Sequence, residues 1–313
     1  MERVNWIWMN GEIVEWDKAV IHVMSPSLHY GVSVFEGIRA YWNGSKWLIF
    51  RLKDHIKRLY YSAKVYRLKI KYEMNNLINA IIEVIRKNNV ESHIYIRPII
   101  FRSLIDRKPS LRKSIEAPAS IAIAIRTVKS ILEDKEEFEK PRRYMISSWR
   151  RPSPNSLPMY VKCSANYANS ALAMIEARES GFDGAIMLDH KGYISESTGA
   201  NLFMIKNEKL ITPPLSASIL PGITRDTIIK LASDLNLEVV EKDICRAELY
   251  SADEVFICGT MAEVTPITQV DGIIYNDGKP GPITRKIAEY YYEVVMNKVP
   301  KYSDWITIVE KGS

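Results

Sequence analysis

The chain of 313 residues has few cysteines and no apolar run of membrane-spanning length. Cys163, Cys245 and Cys258 form no CxxC pair and have no histidine at ligand spacing, which argues against a disulfide framework and a metal site. The longest apolar stretches, such as the one at 121–125 that ends at Arg126, are far short of the roughly 20 residues that cross a bilayer. The first residues, MERVNW, interrupt any apolar leader with charges. We therefore expect a cytoplasmic protein without a metal.

The common catalytic signatures are also missing from the sequence. It contains no GxSxG, no HExxH and no GxxxxGK[ST] motif, and no GxGxxG motif follows a strand pattern. Each of these motifs positions a particular nucleophile, metal ligand or phosphate-binding loop. Their absence argues against simple hydrolases, zinc proteases, P-loop enzymes and Rossmann dehydrogenases.

The composition is that of a globular protein with a basic balance. Hydrophobic residues make up 47% and charged residues 26%, and the net charge is +6, so the chain has enough apolar surface to fold. The length favours two domains. Lysines and arginines gather in two groups, at 102, 107, 108, 112 and 113 and at 140, 142, 143, 150 and 151. Because no aromatic residues are interleaved with them, we interpret both groups as solvated loops and expect no nucleic-acid partner.

Periodicity divides the chain into an α+β part and an α/β part. Residues 1–126 combine strand patterns at 4–9, 46–50, 94–101 and 120–126 with helical patterns at 52–66 and 75–87. The charged run at 129–143 predicts an exposed connector, so we place a linker at 127–140. Residues 141–313 alternate strands at 144–148, 184–188, 202–205 and 255–258 with helices at 165–179, 224–235, 247–251 and 282–296.

Two similar helix starts, PGITR at 221–225 and GPITR at 281–285, follow from capping rules and not from a duplication. In both, we expect the threonine, Thr224 or Thr284, to cap the helix. Only the first comes after a strand-turn pattern that can aim free N–H groups into a cleft. It is therefore the better candidate for an anion site.

One lysine and one glutamate lie in tracts that suit chemistry. Lys162, in MYVKCSANY at 159–167, is followed by small residues that allow a ligand to approach the backbone. On the residues alone, both an ordinary surface lysine and a desolvated Schiff-base lysine fit. Glu196, in GYISESTGANLF at 192–203, lies between a strand pattern and a turn of small residues.

Six separated tracts resemble the branched-chain amino acid aminotransferases, the class IV, fold-type IV enzymes that use pyridoxal 5′-phosphate. The tracts are YGVSVFEGIR at 30–39, YIRP at 95–98, Lys162 with the NY pair at 166–167, YISE at 193–196, LPGITR at 220–225 and GTMAE at 259–263. They occur in the family's order over nearly the whole chain. The resemblance implies a two-domain fold like that of D-amino-acid aminotransferase, with an active site between the domains and a homodimer or larger homo-oligomer.

The resemblance also implies a role for each residue that meets the cofactor. Lys162 holds the cofactor covalently and moves the proton, Glu196 faces the pyridine nitrogen, and Tyr167 bonds to the ring oxygen. The phosphate is assigned to Arg58, Gly222, Ile223, Thr224, Gly259 and Thr260. Those assignments match what this cofactor requires, namely a lysine, a carboxylate and an anion site.

The substrate residues implied by the resemblance lie in both halves of the chain. The turn Thr260, Met261 and Ala262, helped by Tyr95, binds the substrate carboxylate. An apolar pocket for leucine, isoleucine and valine is formed by Tyr30, Phe35, Gly37 and Tyr167. Arg97 is the candidate partner for the second carboxylate of glutamate. The implied reaction is a ping-pong exchange of amino groups between branched-chain L-amino acids and 2-oxoglutarate.

Three departures from the family's pattern leave other substrates open. Ser164 and Ala165 replace a pair of glycines, Ala200 replaces a glutamate, and the run RTVK at 126–129 replaces a PWGAY run. The loop at 102–109 also lacks its usual glycines. A class IV relative acting on D-amino acids, on amines or as an aminodeoxychorismate lyase therefore remains an alternative, as does a non-catalytic basic binding protein on the same fold.

Overall fold

The computed structural model describes residues 4–104 and 110–311. The chain divides into two compact units. The first consists of Met1–Lys129, Val161–Ala165 and Val294–Ser313, and the second of Ser130–Tyr160 and Asn166–Glu293. Of the loop at 102–109, residues 105–109 lie outside the described ranges, so the departure noted there is only partly covered by the structure.

The first unit is built on one antiparallel sheet of eight strands. Its strands are β1 (Trp6–Met9), β2 (Glu12–Glu15), β3 (Ser33–Phe35), β4 (Ile38–Trp42), β5 (Lys46–Phe50), β6 (Ile94–Arg102), β7 (Ala119–Thr127) and β18 (Ile306–Glu310). Across the sheet they lie in the order β18-β5-β4-β6-β7-β1-β2, and β3 also pairs with β6. On β7, Ile121, Ile123 and Ile125 are buried. Their alternation with alanines gives the strand one core face.

Two long helices cover the core face of this sheet. The helices of the unit are α1 (Pro26–Tyr30), α2 (Leu52–Val65), α3 (Met74–Asn88) and α4 (Leu111–Ser114), with 3₁₀ turns at Trp16–Lys18 and Pro300–Trp305. A reciprocal capping box between Glu73 and Asn76 starts α3. Leu77, Ile81 and Val84 recur at helical spacing and are fully buried in the core, which also receives Val161 and Cys163.

The second unit contains two five-stranded mixed sheets. The first sheet, in the order β10-β9-β8-β16-β17, consists of β8 (Arg143–Arg150), β9 (Gly184–Leu188), β10 (Ile194–Ser197), β16 (Gln269–Val270) and β17 (Ile273–Ile274). The other, in the order β13-β12-β11-β14-β15, consists of β11 (Asn201–Lys206), β12 (Lys209–Thr212), β13 (Val239–Glu241), β14 (Glu254–Gly259) and β15 (Glu263–Ile267).

Helices and short turns connect these strands. They are α5 (Lys135–Glu139), α6 (Ser164–Glu179), α7 (Ile223–Asp234), α8 (Arg246–Tyr250) and α9 (Pro282–Val295), with 3₁₀ turns at Leu215–Ala217 and Asn276–Gly278. Leu202, Met204, Val255 and Ile257 form part of the core that the two sheets share. Within the described residues, no helix is long and apolar enough to cross a membrane.

The strands and helices named from periodicity are present with small shifts at their ends, and the charged connector holds one short helix, α5. Strand β18 was not predicted, and it pairs with β5 along its full length. The domain bounds of 1–126 and 141–313 stay a prediction. What the structure adds is that the last 20 residues group with the first unit and not with the second.

The interpretation of both basic groups as solvated loops is wrong for three arginines. Arg102, Arg142 and Arg151 are less than a tenth exposed. The guanidinium of Arg102 donates to the carbonyl of Ala117 at 2.8 Å, and that of Arg142 donates to the Glu137 carboxylate at 2.9 Å. These buried side chains tie loops to the fold through hydrogen bonds, so they are not available to a polyanion.

Candidate functional site

In the first unit, Lys162 lies on the short segment that returns to the first sheet. The carbonyl of Lys162 accepts a hydrogen bond from the Phe35 amide at 3.0 Å, and its own amide donates to Ser62 Oγ at 3.3 Å. The neighbouring Cys163 forms a bridge with Val34 of β3. These backbone bonds fix the segment, and they direct Lys162 Nζ to a position 5.1 Å from the centre of the Phe35 ring.

Phe35, Gly37, Tyr95 and Arg97 lie together beside this lysine. The Arg97 guanidinium is 4.6 Å from the Phe35 ring and 5.2 Å from the Tyr95 ring, and its Nη2 donates to Tyr95 Oη at 3.0 Å. Arg97 Nε is buried without a hydrogen-bond partner among the described residues. Four of the residues to which the resemblance gives a role in substrate binding are therefore neighbours.

We expect Gly37→Ala to displace Tyr95. A Cβ at Gly37 would lie 1.9 Å from Tyr95 Oη and 2.6 Å from Cζ, so the ring must move and the bond to Arg97 breaks. Overpacking of this kind costs about 1–3 kcal/mol, and the KM for amino-acid substrates should rise. Urea unfolding and steady-state kinetics measure the two effects. In Gly199→Ala the new Cβ meets nothing within 4 Å, and an equal loss of stability there would contradict this explanation.

Glu36, His55 and Arg58 form a buried cluster that connects the segment between strands β3 and β4 to helix α2. Arg58 Nε and Nη2 donate to the two oxygens of Glu36 at 2.7 and 2.8 Å, and His55 Nδ1 lies 2.8 Å from Oε2. Burial alone would raise the pKa of Glu36, but Arg58 and His55 outweigh it and hold that pKa well below its ordinary value of 4.5. Burial lowers the pKa of His55, which the bond to Glu36 offsets only in part.

Because both pKa values are lower in the folded than in the unfolded chain, protons bind the unfolded state more readily. The stability that this cluster supplies is complete above pH 6.5 and is lost as the pH falls, first through His55 and below pH 4.5 through Glu36. We expect the urea concentration at the midpoint of unfolding to decrease as the pH is lowered from 7 to 4. His55→Gln should flatten the decline between pH 7 and 5, whereas His22→Gln, at an exposed position, should not. Equal slopes in the two variants would contradict the assignment.

In the second unit, Glu196 of β10 is held by donors on three sides. Its Oε1 lies 2.6 Å from Arg151 Nη2, and both side chains are 6% exposed. Asn201 Nδ2 donates to Oε2 at 2.9 Å, and the Leu220 amide reaches the same carboxylate at 3.2 Å. The guanidinium also contacts Ser170 Oγ, at 3.3 Å. The site therefore fixes one carboxylate in position with one positive charge and two neutral N–H donors.

The start of helix α7 lies next to this carboxylate. The N-cap is Gly222, without a side-chain cap, so the expectation that Thr224 caps the helix is wrong. Thr224 lies one residue inside the first turn and is buried. A Cβ at Gly222 would lie 1.9 Å from Asn201 Oδ1, which is why the position requires glycine. Thr284 likewise lies within the first turn of α9, which begins at Pro282.

Gly259 ends β14, and Thr260, Met261 and Ala262 form the tight turn into β15. Gly259 lies beside Ala200, since Cys258 pairs with Asn201 across the strands. After the turn comes Glu263, which has a positive φ of 51° and is fully buried. Its carboxylate accepts from Ser130 Oγ at 2.9 Å and from the Ile131 amide at 2.9 Å. The turn is therefore anchored immediately after its last residue.

The two remaining tyrosines lie on helices. Tyr167 lies in the first turn of α6, one turn before Ser170, the residue that Arg151 contacts. Tyr30 ends α1, is 37% exposed, and has its ring 6.1 Å from that of His29. In the first unit, Phe35, Gly37, Tyr95 and Arg97 thus lie near Lys162, and in the second unit Glu196 and Gly222 lie against Asn201.

Sequence reasoning missed Arg151, Glu36, His55 and Glu263. Glu36 and His55 occur near residues with assigned roles, but no role was given to either side chain. Arg151 was interpreted as part of a solvated basic group, because no aromatic residues are interleaved with that group. Each residue acts through a partner distant in sequence, so neither spacing nor composition carried a signal.

Comparisons with known proteins show the family of this chain. Residues 33–270 match the model of the family described as amino-transferase class IV. The branched-chain-amino-acid aminotransferase of Escherichia coli strain K12 is 42% identical over 99% of both chains. A crystal structure of the branched-chain aminotransferase from Thermoproteus uzoniensis with norvaline has a TM-score of 0.90 at 42% identity, covering 97% of this chain and 99% of that one.

A crystal structure of the T.th. branched-chain amino acid aminotransferase with pyridoxamine 5′-phosphate has a TM-score of 0.93 at 40% identity, covering 99% and 100% of the two chains. The same enzyme is also known in complex with N-(5′-phosphopyridoxyl)-L-glutamate. Sequence identity of this extent over nearly the full length shows membership of the same family and not only a shared fold. This chain therefore belongs to the class IV aminotransferases, within the family of the branched-chain-amino-acid aminotransferases.

Proposed function

We propose that this enzyme transfers amino groups between branched-chain L-amino acids and 2-oxoglutarate, with pyridoxal 5′-phosphate as its cofactor and a ping-pong order of half-reactions. The observation that supports the proposal best is that three features of the second unit meet at Asn201. This side chain bonds to Glu196, limits the space at Gly222 and lies across the strands from Cys258. The relatives' function and ligands support the same assignment.

The second unit offers the groups that this cofactor needs. Glu196 is a buried carboxylate fixed by Arg151 and Asn201, which suits a protonated pyridine nitrogen. The N-cap of α7, Gly222, makes no side-chain cap bond, and the positive end of the helix dipole at this start favours an anion. We assign the phosphate to Gly222, Ile223 and Thr224, together with Gly259 and Thr260, and the ring oxygen to Tyr167.

The first unit contributes the reacting amine and one more cation. Glu36 aligns Arg58 through two hydrogen bonds, so this guanidinium is preorganised to meet a phosphate. When bound, pyridoxal phosphate supplies an electron sink for a carbanion at the substrate's α-carbon. Lys162 Nζ takes up and returns the proton at that carbon. The backbone bonds of the Lys162 segment keep Nζ beside Phe35 as it does so.

The substrate groups follow from the same neighbourhood. Phe35 and Tyr95 are each 7% exposed and offer ring faces to an apolar side chain. We assign the substrate's α-carboxylate to the turn of Thr260, Met261 and Ala262 and to Tyr95 Oη. Tyr30, Gly37 and Tyr167 complete the proposed pocket. Norvaline and a glutamate adduct in the relatives' structures fit a site that accepts both apolar and acidic side chains.

Arg97 is the proposed partner of the second carboxylate of glutamate. Its Nε is buried without an acceptor among the described residues, and a carboxylate would satisfy it. We expect Arg97→Ala to lose activity with glutamate and 2-oxoglutarate by about tenfold or more while keeping leucine turnover. Steady-state kinetics with each substrate measure this difference. Equal losses for leucine and glutamate would contradict the assignment.

We also propose a homo-oligomer, and we propose the cytoplasm as its compartment. Val20, Ile21, Val23 and Leu28 of the first unit are between 48% and 72% exposed. A run of exposed apolar side chains of this kind is typical of an interface between subunits. Sedimentation velocity of the full chain tests the assembly, and a monomer at micromolar concentration would contradict it.

The activity itself is tested with several amine donors against 2-oxoglutarate. We expect L-leucine, L-isoleucine and L-valine to give glutamate, and D-leucine and 1-phenylethylamine to give turnover at least about a hundredfold slower. A faster reaction with the D-amino acid or the amine would overturn the branched-chain assignment while leaving the aminotransferase family intact. The relatives do not favour those alternatives or a non-catalytic binding protein.

A further inference from the structure

Cations and aromatic rings alternate along one face of the first sheet. Lys162 Nζ lies 5.1 Å from the Phe35 ring, and the Arg97 guanidinium lies between the rings of Phe35 and Tyr95. The row continues to Arg126, whose guanidinium is 5.2 Å from the Tyr95 ring. Register explains this order, because Tyr95 is opposite Arg126 and Arg97 is opposite Ala124.

The end of the row at Arg126 has two positive charges, those of Arg97 and Arg126, and small neighbours. On this face of β7, Ala122 and Ala124 precede Arg126, and Ala124 is opposite Arg97, so the neighbours of Arg126 on its own strand are small. Among residues 4–104 and 110–311, no carboxylate forms an ion pair with Arg97 or Arg126. Two guanidinium groups that share one ring repel each other, and an anion bound to both would relieve that repulsion.

The position of the pair relative to Lys162 suggests which anion it binds. Lys162 is the proposed reacting amine. Arg97 follows the Phe35 ring in the row, and Arg126 follows the Tyr95 ring. A substrate whose α-carbon is at Lys162 directs its side chain along those rings. An apolar side chain ends on them, whereas a side chain with a terminal carboxylate reaches the guanidinium groups, whose planar donors match a carboxylate.

We propose that Arg126, together with Arg97, binds the second carboxylate of dicarboxylic amino and 2-oxo acids, and that Arg126 sets the preference for these substrates over branched-chain ones. This inference rests on the proposed function. It assigns a role to the RTVK run at 126–129, which departs from the family's usual sequence. Arg126 is exposed in the single chain, so the charge is accessible to an entering substrate.

The direct test is calorimetric binding of unreactive acids to the cofactor-loaded enzyme. The ligands are glutarate, with two carboxylates, and 4-methylpentanoate, with one. Arg126→Gln should weaken glutarate about tenfold, the size expected for one partly exposed charge-assisted contact, and change 4-methylpentanoate less than twofold. Arg126→Lys should fall between the two. Arg112→Gln, an exposed arginine on α4, removes the same charge elsewhere and should change neither ligand.

Kinetics provide the second readout. In Arg126→Gln we expect the KM for 2-oxoglutarate to rise about tenfold with kcat within twofold, and the KM for leucine to stay within twofold. Equal changes for both ligands, or none for glutarate, would overturn the proposal. If the wild-type enzyme turned over neither substrate, the proposed function would fail, and the glutarate measurement would still decide the role of Arg126.

Discussion

Replacement of Lys162 by alanine is expected to reduce transamination by on the order of 10³-fold or more. Lys162 Nζ lies 5.1 Å from the Phe35 ring, in the position assigned to the reacting amine. The variant should also lose the covalent link to the cofactor, so that borohydride no longer fixes the cofactor to the protein. Mass spectrometry after reduction measures this loss independently of activity.

Lys113→Ala provides the control, because Lys113 is exposed on α4 in the same unit. It should retain both activity and the reducible link. Urea unfolding should show that Lys162→Ala remains folded, since the segment is held by backbone bonds of Lys162 and not by its side chain. A variant that still carried the cofactor after reduction would contradict the role of Lys162.

Removal of Arg151 is expected to be the most destabilising single change in the second unit. Arg151→Met leaves the Glu196 carboxylate buried without its guanidinium partner, and breaking one side of a buried ion pair costs about 3–5 kcal/mol. The carboxylate should also lose its fixed position, so cofactor affinity should fall. Urea unfolding and equilibrium dialysis of the cofactor measure these two effects.

The neighbouring Arg150 is a matched control, because it is exposed while Arg151 is buried. Arg150→Met should change the free energy of unfolding by less than about 0.5 kcal/mol. The double variant Arg151→Met with Glu196→Gln should be more stable than the sum of the single changes predicts, since no charge is then left unpaired. Additive losses would mean that the two side chains do not act as a pair.

Periodicity was sufficient to predict elements whose apolar residues recur regularly. Helix α3 and strand β7 belong to this class, because Leu77, Ile81 and Val84 follow a helical spacing and the isoleucines of β7 alternate. Strand β18 was missed because its five residues are nearly half polar and only Val309 is fully buried. Its partner β5 lies far earlier in the sequence, and a local pattern does not reveal such a pairing.

The candidate site depended on resemblance more than on local physics. Lys162 and Glu196 stood out only through their order among six family tracts, since each side chain alone fits a surface loop. Arg151 shows the limit of composition, because an arginine in a basic stretch was interpreted as solvated. Its burial follows from a partner on another strand, Glu196, and only the fold brings them together.

The measurement that tests the central claim most directly is a half-reaction followed by visible absorbance. The cofactor-loaded enzyme is mixed with L-leucine in the absence of any 2-oxo acid, and then 2-oxoglutarate is added. We expect the cofactor's visible band to bleach with leucine and to return with 2-oxoglutarate, as a ping-pong order requires. A band that leucine leaves unchanged would contradict the branched-chain assignment.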